Sequence, residues 1–87
     1  MLESEIEKEI VRYVQSRGGM CLKWVSPGFT GVPDRIILMP GGKIFFAELK
    51  RPGEKLRPRQ KRVRDQLTAL GAVVLRVESV EDLKEVI

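Results

Sequence analysis

Histidine is absent from this chain and cysteine occurs once, at Cys21. The first absence removes imidazole as a general base, as a metal ligand and as the middle member of a Ser-His-Asp or Cys-His relay. The second rules out an internal disulfide and a cysteine zinc site, and leaves Cys21 to be read as a small buried apolar residue. Long apolar runs are missing too. No stretch approaches the roughly 18 apolar residues of a membrane span, and the opening MLESEIEKEI is too acidic for a signal peptide. The expectation is a soluble protein of the cytoplasm with no membrane partner. Repeats, low-complexity tracts and linkers are also lacking. The 87 residues therefore read as one domain, 1–87, near the lower limit for folding without disulfide or metal support. Any chemistry has to run on carboxylates and lysines.

Charge is what the chain has in quantity. Sixteen basic residues against twelve acidic ones give a net +4. The excess is concentrated in residues 50–64, KRPGEKLRPRQKRVR, where Glu54 is the lone acid. A basic field of this kind suits a polyanion, most simply nucleic acid; a solvated helix face would look the same.

The spacing of apolar residues predicts seven elements. Ser4 caps a helix over about 5–17, with Glu7 completing a capping box, Ile6, Ile10, Tyr13 and Val14 as its apolar stripe, and Gly18-Gly19 as its stop. MCLKWV, residues 20–25, reads as a strand, with Trp24 in the core on the face of Met20 and Leu22. SPGFTGVP is a loop. Strands at about 34–39 and 43–50 form a hairpin around PGG. Pro58 opens a helix running to about Leu70, with Val63, Leu67 and Leu70 facing inward and Gly71 closing it. AVVLRV, residues 72–77, is a strand, and Ser79 with Asp82 caps a last helix whose apolar side is Val80, Leu83 and Ile87. The order αβββαβα describes a small α/β fold, a mixed four-stranded sheet flanked by helices, with a crossover between the third and fourth strands.

Within the hairpin the charges are informative. Ile44, Phe46, Glu48 and Lys50 alternate onto one face of their strand, and Asp34, Ile36 and Leu38 onto one face of its partner. A two-residue Gly41-Gly42 turn would set Arg35 opposite Glu48. A three-residue Pro40-Gly41-Gly42 loop sets Asp34 opposite Glu48, and proline followed by glycines able to take positive φ favours it. Like charges across a ladder are destabilising, so this register asks for a cation, and Mg²⁺ takes carboxylate oxygens. Lys50, one step beyond, could orient a water or stabilise charge on a phosphate. Glu7 and Gln60 border the apolar stripes of their helices and complete a polar cluster at one sheet edge.

Asp34, thirteen residues, then Glu48-Leu49-Lys50 resembles the PD-(D/E)XK nuclease signature, with Pro33 supplying the literal proline. GVPDR, FAELKRP and Gln60 ten residues after the lysine resemble the VRR-NUC domain in its short stand-alone phage and bacterial form. The resemblance spans about residues 5–75 and implies a restriction-endonuclease-like core and a Mg²⁺- or Mn²⁺-dependent endonuclease. By position it implies Asp34 and Glu48 as metal ligands, with the Leu49 carbonyl as a further one and Lys50 assisting the attacking water. Glu7 would be the acid of the first helix, with Glu3, Glu5 and Glu9 close by, and Gln60 the supporting glutamine. Arg51, Lys55, Arg57, Arg59, Lys61, Arg62 and Arg64 would contact the DNA backbone, which sets affinity without reading sequence. Few residues are candidates for base readout, so the expectation is structure-selective cutting of branched DNA, similar to a Holliday-junction resolvase. Paired cuts imply a homodimer, acting in a prokaryotic or phage-infected cell. A non-catalytic nucleic-acid-binding module would explain the basic run but leave Asp34 and Glu48 without a reason. A plain interaction domain would make ELK a surface salt-bridge pattern.

Overall fold

The register of the sheet is set by its central turn. In the computed structural model, which describes residues 2–87, Pro40-Gly41-Gly42 joins Arg35–Met39 to Lys43–Leu49 as a three-residue loop. Gly41 and Gly42 take φ of 85° and 75°, a region that L side chains avoid. Met39 then faces Lys43, and each pair back along the ladder follows to Arg35 opposite Ala47.

The elements are α1 (Glu3–Ser16), β1 (Met20–Lys23), β2 (Arg35–Met39), β3 (Lys43–Leu49), α2 (Pro58–Ala69), β4 (Val74–Val77) and α3 (Val80–Lys84). They form one sheet in the order β1-β2-β3-β4, antiparallel except for the parallel β3–β4 pair that α2 connects. The expected α/β order and crossover are therefore present. No helix among the described residues is long and apolar enough to cross a membrane.

Helices α1 and α3 cover one face of the sheet. Ile6, Ile10 and Val14 recur along one side of α1, as the three-to-four-residue helical period demands, and are wholly buried with Ile37, Ala47, Leu49, Val77 and Leu83. Each of these isoleucine, leucine and valine side chains contributes about 1.5–3 kcal/mol by leaving water. Cys21 joins this core as expected, and burial pushes its thiol pKa up. Helix α2 lies on the other face, against β4, and leaves the β1–β2 side of that face uncovered.

Several expectations need correction. Helix α1 starts two residues early with Leu2 at its N-cap, so Ser4 lies inside the first turn and Glu7 is free to reach across the sheet to Arg35. Trp24 lies past the end of β1, half-buried against Phe46 at 5.1 Å between ring centroids, while Met20 and Leu22 on its face are exposed. Leu70, expected inward, is 84% exposed, because α2 ends at Ala69 and the chain turns away there. Strand β4 begins only at Val74, since the Ala72 N–H is taken by the Leu67 carbonyl. Ser79 stands at the N-cap of α3, but its side chain makes no cap bond; Asp82 accepts from the Glu78 N–H instead.

Candidate active site

Continuing the β2–β3 register one step beyond Arg35 and Ala47 brings Asp34 beside Glu48. Two backbone bonds hold it there. The Trp24 N–H donates to the Asp34 carbonyl at 3.0 Å, and the Leu49 N–H donates to Asp34 Oδ2 at 2.7 Å. Proline at 33, fully buried, precedes this position and keeps the chain extended into β2.

Glu48 is 3% exposed. Burial first, and then the charge of Asp34 and a hydrogen bond shared with its carboxyl, push its pKa up to about 8, against a smaller opposing pull from Lys50. Without a cation this is a carboxyl pair that retains a proton near neutral pH. Lys50, also buried, follows on the same face, its backbone N–H donating to the Val77 carbonyl at 2.9 Å. It takes part in none of the three ion pairs among the described residues. Gln60 ties α2 to this edge. Its Nε2 donates to Glu48 Oε1 at 3.0 Å, and its Oε1 accepts from the Arg57 N–H at 2.9 Å at the start of the helix. Asp34, Glu48, Lys50 and Gln60, four residues expected from the sequence, are thus assembled at one edge.

Glu7 is placed differently. Its carboxylate is held by the Arg35 guanidinium, which points from β2 to the α1 side of the sheet and also donates to the Cys21 carbonyl at 3.4 Å. No third acid joins Asp34 and Glu48 in a metal-sized cluster among the described residues. The α1 acid whose charge is felt at Glu48 is Glu3, one turn earlier on the same side of the helix.

Of the expected basic contacts, Arg51, Lys55, Arg57, Lys61 and Arg62 are exposed. Arg64 is drawn toward Asp65 at 3.2 Å, and Arg59 lies over the Phe29 ring. The loop before α2 is anchored: the Arg51 N–H donates to Glu54 Oε1, which lowers the Glu54 pKa, and the Gly53 N–H donates to Glu78. Arg76, not anticipated, stands beside Glu48 in the parallel ladder and bonds Glu78 and the Glu54 carbonyl. Only the β4 register, which the sequence does not specify, brings it there. With Lys55, Lys61 and Arg64 it lines a hollow of about 310 Å³ beside α2.

The donor set fits a hard divalent cation: two carboxylates in contact, one of them buried and proton-hungry, with a lysine rather than a further acid beside them.

No protein-family model matches the chain. It is 47% identical over 85 residues to "Putative nuclease p44" of Acyrthosiphon pisum secondary endosymbiont phage 1, across 98% of this chain and 90% of the phage protein. The fold is similar to a solved structure described as a VRR_NUC domain, with a TM-score of 0.89 and 28% identity over 95% of this chain and 90% of that one. Near-complete coverage of both relatives, with the Asp34, Glu48-Leu49-Lys50 and Gln60 cluster at its edge, shows that the chain belongs to the VRR-NUC nucleases.

Proposed function

We propose that this nuclease is a divalent-metal-dependent DNA endonuclease that hydrolyses phosphodiester bonds selectively in branched DNA. The observation that carries the reading is the contact between Asp34 and Glu48, with Glu48 buried and Lys50 buried next to it. Asp34, Glu48 and the Leu49 carbonyl would hold Mg²⁺ or Mn²⁺, which when bound supplies Lewis acidity to the phosphate and lowers the pKa of a water. Lys50 presents an ammonium beside the reacting phosphate, where it orients water and offsets developing negative charge. Gln60 keeps Glu48 in position through the first turn of α2. Water adds across one P–O bond, leaving a phosphate monoester and a hydroxyl. The exposed Arg51, Lys55, Arg57, Lys61 and Arg62 bind backbone phosphates and offer no base-specific pattern.

A second copy of the chain fits this reading. Met20, Leu38 and Ile44 form one row across the uncovered sheet face, and Leu22, Ile36 and Phe46 the next, adjoining the row of Asp34 and Glu48. Met20, Leu22 and Ile44 are 55%, 41% and 52% exposed. With their half-buried neighbours they form a contiguous uncharged patch of the kind that marks an interaction site. Such a face offers phosphates no cation but suits its own two-fold mate, which would set two sites side by side for paired cuts. The phage relative supports action in the cytoplasm of a prokaryotic or phage-infected cell.

The test is a labelled four-way junction and a matched linear duplex in Mg²⁺, Mn²⁺ and EDTA, with Asp34→Asn alongside. Metal-dependent junction cleavage lost in the variant is the expected result. Equal cutting of both substrates removes the structure selectivity. Binding without cutting in any metal leaves the nucleic-acid-binding module.

A further inference from the structure

The loop between β1 and β2 holds an aromatic residue that the hydrolysis does not use. Phe29 is 44% exposed, and the Arg59 guanidinium lies over its ring at 4.8 Å from the centroid. Arg59 also donates from Nε to the Thr30 carbonyl at 3.1 Å, so the cation is committed to the loop and not to a phosphate. Gly31 lets the loop lie against α2. Its φ is +85°, and a Cβ there would stand 2.7 Å from Arg59 Cγ and 3.1 Å from the Arg59 carbonyl oxygen. The loop is therefore pressed onto α2 with its ring outward.

That position borders the hydrolytic cluster. Arg59 precedes Gln60, which holds Glu48, and the five Cα–Cα steps from Phe29 to Asp34 span at most about 18 Å. A ring backed by a guanidinium within a basic surface offers an apolar, polarised face to a flat heterocycle. Base–aromatic stacking of this kind is indifferent to sequence and needs a base free of its own stack. Paired duplex does not supply one; a branch, flap or loop does.

We propose that Phe29, braced by Arg59, is a stacking site for an unpaired nucleobase flanking the scissile phosphate, and that it provides the preference for branched DNA. The adjacency to the scissile phosphate rests on the nuclease reading above; the binding does not need metal. A contact that merely pins the loop through the Phe29–Arg59 pair would, when lost, weaken fork and duplex binding alike, which separates the two roles.

The experiment is a fluorescence titration in EDTA of forked DNA carrying 2-aminopurine at the unpaired positions next to the branch, with fully paired duplex as control. Wild type and Phe29→Trp should quench the unpaired probe. Phe29→Leu, which keeps the bulk, should lose the quench and bind the fork about tenfold more weakly, as expected for one lost stack. Its duplex affinity should match wild type, and its melting temperature should fall only slightly, from the loss of the cation–π contact with Arg59. Quenching by Phe29→Leu equal to wild type, an equal loss on fork and duplex, or no quench by wild type would each overturn the proposal. Cleavage of the same forks in Mg²⁺ is read separately. Quenching without cleavage removes the nuclease reading and keeps the stacking site; cleavage without quenching does the reverse.

Discussion

Along β3, Phe45, Ala47 and Leu49 point toward α1 and α3, whereas Ile44, Phe46, Glu48 and Lys50 point to the face that α2 half covers. The first set is shut into an apolar core with Ile37 and Val77. The second passes within four alternating positions from an exposed isoleucine to a buried glutamate and a buried lysine. One strand thus carries stability on one side and a strained charge cluster on the other. In a domain of 87 residues there is little interior to spare, and the two tasks are separated by the pleat and not by distance.

Substitutions on the two faces should therefore fail in opposite ways. Asp34→Asn or Glu48→Gln should lower cleavage about 10³-fold in a nicking assay, with a melting temperature close to wild type at neutral pH, because the pair already shares a proton there and an amide can keep the hydrogen bond. Ile37→Ala on the core face should cost about 2–5 kcal/mol in urea unfolding, a large share of the stability of a small domain. A loss of stability in Glu48→Gln as large as in Ile37→Ala would break the division. A smaller effect is expected from Ile44→Asp, which should turn a dimer into a monomer in sedimentation at micromolar concentration while the isolated chain stays folded.

The last effect is on pH dependence. Glu48 is raised from 4.5 to about 8, so between those values the native state keeps a proton that the unfolded chain has released. The resulting stability is fully present below about pH 4.5 and is lost as pH rises to about 8. Metal-free protein should accordingly melt progressively lower across that range, and Glu48→Gln should flatten the slope. A slope unchanged in the variant would place its origin elsewhere.

The site was more legible in the sequence than its surroundings. Pro40-Gly41-Gly42 specifies the hairpin register through the φ its glycines require, and the register alone sets Asp34 against Glu48. Gln60 was found from its place beside the apolar stripe of α2, and Pro58 does open that helix. Glu7 shows the limit. Helical spacing says which face it borders, but its partner Arg35 lies 28 residues away and is chosen by packing. Alternation likewise groups Met20, Leu22 and Trp24 on one face without saying whether a helix covers it. Arg76 and the Phe29–Arg59 contact depend on how β4 and α2 dock, which no local pattern encodes.

The central claim is that Asp34 and Glu48 are held together for a cation. Calorimetric titration of Mn²⁺ into the wild-type protein and Asp34→Asn at neutral pH tests it most directly. Saturable binding by wild type, with release of the proton the carboxyl pair retains, and its loss in Asp34→Asn, is the predicted result. Absence of binding at millimolar Mn²⁺, or equal binding by the variant, would contradict it.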